Sequence, residues 1–170
     1  MFVRAFALAA GLTGAAGLSQ FPEFSQQYKQ RLGGAVDELS RVVAEFEADA
    51  AEVGMTPRAA LADLATGGRF GAARAESMTR TMARHARLSV DLAALDDAGP
   101  FLRARLAPHM TDPDIARAAW GAYRPALPLT FEGAVFAATG FVLAWTAVMA
   151  LGALLRRALR PRRRTRPRAA

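Results

Sequence analysis

Apolar residues gather at the two ends of the chain and recur at helical spacing between them. The longest apolar run is FEGAVFAATGFVLAWTAVMALGALL, from Phe131 to Leu155, in which the one charge, Glu132, stands at the start. A helix rises about 1.5 Å per residue, so this run is long enough to cross a hydrocarbon core of about 30 Å, and it predicts a transmembrane helix. A second run, AFALAAGLTGAAGL from Ala5 to Leu18, is shorter and rich in small residues, with Met1, Phe2 and Phe21 at its edges. Two readings fit it. One is a cleaved secretory signal, with a small-residue pattern at Ala15–Gly17. The other, the expectation here, is a retained first span that forms a hairpin with the second. Ala7, Gly11 and Ala15 make a small-residue face, and so do Gly133 with Ala137 and Gly140 with Ala144; such faces allow close helix approach. A chain simply rich in Ala and Gly would show them too.

Between the runs, Phe24, Tyr28, Leu32, Val36, Leu39, Val43, Phe46, Ala50 and Val53 recur at steps of three and four, predicting a long amphipathic helix. Ser19 is a candidate cap for it, with Pro22 and Glu23 in its first turn. Gly33-Gly34 interrupts the pattern and predicts a bend. Ala35–Val53 is long enough for a short coiled coil, but a plain helical hairpin is the expectation. Gly54 ends the helix, Thr56-Pro57 starts a short one to about Ala65, and Gly67-Gly68 breaks that. A second long helix is expected from about Phe70 to Asp96, with the stripe Met78, Met82, His85, Leu88, Leu92 and Leu95. Gly99-Pro100 separates it from a short helix holding Phe101, Leu102 and Leu106. Thr111 or Asp112 caps a helix begun by Pro113 and ending near Tyr123. Pro125 and Pro128 predict an extended link, and Thr130 caps the second span. No strand pattern occurs.

The expected fold is therefore an all-α membrane protein in which two transmembrane helices flank a periplasmic amphipathic helical hairpin domain. Its divisions are a first transmembrane helix or uncleaved signal anchor (1–21), a periplasmic helical domain (22–128), a second transmembrane helix (129–156) and a basic cytoplasmic tail (157–170). The helical domain has a thin core for its length, so it is expected to lean on the membrane or on a partner chain.

Charge sharpens this picture. The net charge is +7 and the pI about 11.2. Eight arginines from Arg156 onward, with no acid among them, carry that excess, while Glu23–Pro128 is close to neutral. Arg4 and this tail predict that both termini are cytoplasmic and the middle periplasmic, in a bacterial inner membrane. The tail lacks aromatic interleaving and a folded scaffold, so no nucleic-acid partner is expected. The partners expected are membrane lipids and a protein partner or second copy.

Chemistry is sparse. Cysteine is absent, which excludes thiolate catalysis and disulfides. His85 and His109 lie far apart, and no metalloprotease or calcium-loop pattern is present, so no metal or other cofactor is expected. Asp37-Glu38 and Asp96-Asp97 are adjacent pairs that point to different faces of a helix. Ser77 and Ser89 have no placed base, and neither Gly-Gly pair is followed by the Lys-Ser/Thr of a phosphate loop. The chain does not read as an enzyme. Glu132, in the first turn of an apolar helix, matches the positive helix end and has Arg124 as a candidate partner.

Several strings are distinctive: Leu18–Phe24 (LSQFPEF), Gln26-Gln27-Tyr28, Gln30–Gly34 (QRLGG), Tyr123–Gly133 (YRPALPLTFEG) and Phe136–Phe141. Through them the chain resembles the DUF2937 family, small bacterial inner-membrane proteins of uncharacterised function. The resemblance covers nearly the whole chain except the arginine tail. It implies membrane location and a retained N-terminal segment, and no activity, cofactor or catalytic residue. The strings fall at the outer ends of both spans, so Gln20, Glu23, Gln27, Arg31, Tyr123 and Glu132 are expected to form a juxtamembrane interaction layer. The function expected is a structural or protein-interaction component of the cell envelope. The alternative is an accessory subunit of a transport or envelope-stress system that binds a lipid or small solute.

Overall fold

A computed structural model describes residues 2–123 and 130–158 of the chain. Among these residues the regular structure is helical: α1 (Phe2–Leu18), α2 (Phe21–Glu52), α3 (Pro57–Thr66), α4 (Gly68–Leu95), α5 (Pro100–Arg105), α6 (Pro113–Ala122) and α7 (Phe131–Ala158), with a 3-10 turn at Ala107–His109. Two compact units result. One joins Met1–Phe21 to Ala126–Ala170, and the other is Pro22–Pro125. Arg124, the Pro125 to Pro128 link and the tail arginines from Arg160 lie outside the described residues.

In the first unit α1 and α7 pack antiparallel; α7, and the helical stretch that begins at Phe2 and continues into α2, are long and apolar enough to cross a membrane by length and composition. Their seam is made of glycine. A Cβ built on Gly14 would lie 2.5 Å from the Gly140 carbonyl oxygen and 2.7 Å from the Ala144 Cβ. One built on Gly140 would collide with the Gly14 carbonyl oxygen, and one on Gly11 would lie 2.7 Å from the Phe141 ring. At Gly14 and Gly140 the obstacle is the other helix's carbonyl, so the two backbones touch directly there, while Gly11 makes room for the Phe141 ring. Ala7 and Gly11 are buried on α1, and Gly133 and Gly140 on α7, as the small-residue faces suggest. Other bulky side chains point away from the seam: Phe2 is 93% exposed and Phe6 74% exposed. Each threonine of the two helices satisfies its hydroxyl internally. Thr13 donates to the Ala9 carbonyl, Thr139 to that of Val135, and Thr146 to that of Val142. No hydroxyl is then left bare in apolar surroundings, where it would be costly. Thr130 caps α7 by accepting from the Gly133 N–H at 3.1 Å, and Arg156 and Arg157 sit in its last turn, where cations suit the helix dipole.

The second unit is built on α2 and α4, which run antiparallel and meet through side chains. Its core holds Tyr28, Leu32 and Val36 of α2, Leu88 and Leu95 of α4, and Ile115 and Ala119 of α6. The stripes at three- and four-residue steps thus converge as their spacing requires. At the far end of α2, Gly54 takes φ +69°. Its N–H bonds to Ala51 O and that of Met55 to Ala50 O, the two-bond closure that favours glycine in the left-handed region. Thr56 then caps α3 by accepting from the Ala59 N–H at 3.2 Å, with Pro57 at the first position.

Three local expectations need correction. Gly33-Gly34 does not interrupt α2, which runs unbroken from Phe21 to Glu52. Two glycines cost a helix about 2 kcal/mol relative to alanine, but Leu32 and Val36 on either side are both held in the core, and tertiary packing outweighs propensity. Ser19 does not cap α2. It is buried, its Oγ donates back to the Ala16 carbonyl at 2.9 Å, and it accepts from Gln20 Nε2. Finally, α4 begins at Gly68, with φ +79°, rather than at Phe70. A Cβ on Gly71 would collide with the Leu64 carbonyl oxygen, so the second of these glycines turns the chain and Gly71 lets α3 lie close on α4.

Candidate functional site

The densest polar arrangement lies in the helical unit, around the N-terminus of α6. The sequence Thr111-Asp112-Pro113-Asp114 is a helix start, and Asp112 is the residue that caps it, accepting from the N–H groups of Asp114 and Ile115 at 3.2 Å each. The same carboxylate, only 5% exposed, pairs with Arg84 at 3.1 Å through one oxygen and with Arg87 at 3.2 Å through the other. Arg84 and Arg87 are three residues apart on α4 and therefore share a face. The Asp112 backbone N–H donates to the buried Tyr28 hydroxyl of α2 at 3.1 Å. One residue thus joins α2, α4 and α6. Beside it His109 Nδ1 meets Asp91 Oδ1 at 2.8 Å, and further along α4 His85 Nε2 meets Ser40 Oγ at 2.8 Å.

Burial raises the Tyr28 pKa from its ordinary value; the Asp112 N–H bond opposes this, and the charges of Asp112 and Asp91 reinforce it. A folded-state pKa above the unfolded one favours the folded protein below the unfolded value, near 10, and that contribution is lost as pH rises through the folded value. Tyr28→Phe is expected to lower stability by about 1–3 kcal/mol at neutral pH, because it leaves the Asp112 N–H without its acceptor. It is also expected to lose part of the alkaline destabilisation of the parent. Urea unfolding of the detergent-solubilised chain, followed by far-ultraviolet circular dichroism on both sides of pH 10, checks both. Equal alkaline losses in parent and variant would contradict the assignment.

A second cluster gathers around the first turns of α2. Gln27 Nε2 donates to Glu23 Oε1 at 3.1 Å. Phe24 packs edge-on against Trp120 of α6, with ring centroids 6.1 Å apart, and Trp120 stacks on Tyr123 at 5.7 Å. Burial raises the Tyr123 pKa, with the Glu23 charge adding to it. Next to this group Arg103 of α5, only 6% exposed, donates from Nη1 to Gln26 Oε1 at 2.7 Å, while its Nε has no partner. Burial lowers the Arg103 pKa, and among the described residues no carboxylate pairs with it.

Of the six residues singled out in the sequence, Glu23, Gln27 and Tyr123 meet within the helical unit. Arg31 is exposed one turn beyond Gln27. Gln20 and Glu132 belong to the hairpin unit, where Phe21 packs on Phe136 at 5.3 Å and so brings the end of α1 to the start of α7. Sequence reasoning missed the Arg84–Asp112–Arg87 group and the Arg103–Gln26 bond. Of the former only the Asp-Pro helix start was readable, not its arginine partners, and the latter had no signal. Among the described residues no group of three His, Asp or Glu side chains is arranged to hold a metal ion.

No curated protein and no solved structure matches the chain. One family model does, over residues 2–161, which is nearly the full length and takes in both apolar helices and the whole helical unit. The chain belongs to the family described as protein of unknown function (DUF2937).

Proposed function

We propose that this protein is a component of the bacterial inner membrane that acts by protein interaction. In this reading α1 and α7 span the bilayer as a hairpin, both termini are cytoplasmic, and the helical unit lies in the periplasm, with no catalytic role. The observation that carries the reading is the glycine seam. It uses small residues for helix contact and leaves Phe2, Phe6, Leu8, Leu12, Val142 and Leu143 facing outward. In water such a surface would be a heavy liability, whereas in lipid it is ordinary. Arginine at the C-terminal end supports the orientation. The interaction surface includes the candidate layer of Gln20, Glu23, Gln27, Arg31, Tyr123 and Glu132.

A second reading, lipid binding by an accessory subunit, draws support from an apolar groove of about 260 Å³ at the end of the hairpin that carries the two termini, lined by Phe2, Val3, Phe6, Val148, Leu151 and Leu155. Purification in mild detergent separates the two. A stoichiometric protein partner, lost when Glu23 and Tyr123 are both changed to alanine, is the expected result. A retained lipid with no protein partner supports the second reading instead. Reporter fusions should be active in the periplasm at mid-chain and inactive there at residue 170, and a periplasmic signal at residue 170 would overturn the orientation.

A further inference from the structure

We infer that the aromatic group Phe24–Trp120–Tyr123, with Phe101 and Leu102 at the same end of the unit, is a membrane-interface anchor that seats the helical unit at lipid headgroups. The inference rests on the bilayer reading of α1 and α7. It adds a second point of attachment that neither apolar helix supplies.

Three observations favour a lipid surface as the occupant. The first is the leash. Phe24 follows the end of α1 by six residues, and Tyr123 precedes the start of α7 by eight. An extended chain spans at most about 3.6 Å per residue, so the connection lets Tyr123 lie no more than about 30 Å from the start of α7, and Phe24 is tethered more closely still to the end of α1. The second is exposure. Trp120 is 68% exposed although one edge is committed to Phe24, and Phe101 and Leu102 of α5 are exposed as well. The Arg103–Gln26 bond ties α5 to the first turns of α2, which carry Phe24, so these apolar side chains belong to the same end of the unit. The third is chemistry. Tryptophan and tyrosine have an apolar body and a polar tip, and they concentrate at the headgroup level of bilayers for that reason. Arg105 in the last turn of α5 is exposed and adds a cation suited to anionic headgroups.

The chain carries two tryptophans, which makes the test direct. Trp145 lies near the middle of α7 and Trp120 on α6. Trp145→Phe leaves Trp120 as the sole emitter, and Trp120→Phe leaves Trp145. Each full-length variant is reconstituted into vesicles of phosphatidylcholine and phosphatidylglycerol carrying bromine either near the headgroup or near the bilayer centre. Helix content by circular dichroism confirms folding of each. Trp145 is expected to lose emission most to the deep bromines, and Trp120 most to the shallow ones. If Trp145 is quenched and Trp120 responds to neither lipid, the anchor is overturned while the bilayer reading stands. If Trp120 is quenched most by the deep bromines, the interfacial placement is overturned. If neither tryptophan is quenched, the bilayer reading fails, and the anchor with it.

Discussion

Replacing Gly140 with leucine is expected to part α1 from α7 while leaving both helices formed. Any Cβ at residue 140 meets the Gly14 carbonyl oxygen and comes within 3.0 Å of the Leu18 Cβ. The obstacle is backbone, which cannot turn aside as the tip of a long side chain can. Overpacking usually costs about 1–3 kcal/mol, and a clash on backbone belongs at or above the top of that range. The measurement uses the far end of the hairpin. A Cβ on Gly152 lies 3.8 Å from the Val3 Cβ, the typical separation in a disulfide, and the native chain has no cysteine to interfere. In membranes, Val3→Cys with Gly152→Cys should crosslink readily on oxidation. The same pair in a Gly140→Leu chain should crosslink poorly. Gly17→Leu is the control, since a Cβ there meets nothing within 4 Å, and its crosslink should match the parent. A crosslink undiminished by Gly140→Leu would show that the seam does not depend on close backbone approach.

Asp112→Ala is expected to be the most damaging single change in the helical unit. Alanine removes the cap of α6 and both arginine pairings at once, from a site almost without water. Breaking one partner of a buried pair costs about 3–5 kcal/mol, and losing a cap about 1 kcal/mol. The arginines are partly exposed and can recover some hydration, so a loss of about 3 kcal/mol is expected in all. Asp112→Asn keeps the cap and loses only the charge, so it should fall between alanine and the parent. Urea midpoints followed by circular dichroism rank the three. An alanine variant within about 0.5 kcal/mol of the parent would mean that the arginines find other partners.

What the sequence disclosed and what it hid divide along a physical line. Features coded locally were legible. The apolar runs of α1 and α7, the Thr56-Pro57, Asp112-Pro113 and Thr130 starts, and the Gly54 stop each depend on a few neighbouring residues. Ser19 misled because a hydroxyl able to cap forward can equally bond backward, and only the fold decides. Gly33-Gly34 misled because propensity is a weak prior against a core that holds the residues on either side. Gly14 went unremarked although it meets Gly140 and Ala144, since one more glycine among many small residues carries no mark of which face it occupies. For the candidate site, the strings around Glu23, Gln27 and Tyr123 were distinctive. The joining of Asp112 to Arg84 and Arg87 depends on residues more than twenty positions apart and left no trace in spacing.

The polar ties between α2 and α4 are unevenly placed. Lys29 bonds Asp96, with the nearer carboxylate oxygen at 3.0 Å, and Ser40 meets His85. Both pairs obey one antiparallel register, which brings Ala50 level with Ala75, and both of those alanines are buried. Beyond Ser40 and His85, among the described residues, no polar bond links the two helices. A slip by one helical turn, about 5.4 Å, would break both ties together, so they oppose it. Toward Gly54 the buried residues of the two helices, Val43 and Ala50 on α2 and Gly71, Ala75 and Met78 on α4, are all apolar. Register between α2 and α4 is thus marked by polar pairs at the Tyr28 end of the unit, and parting the two helices toward Gly54 would break no polar bond between them.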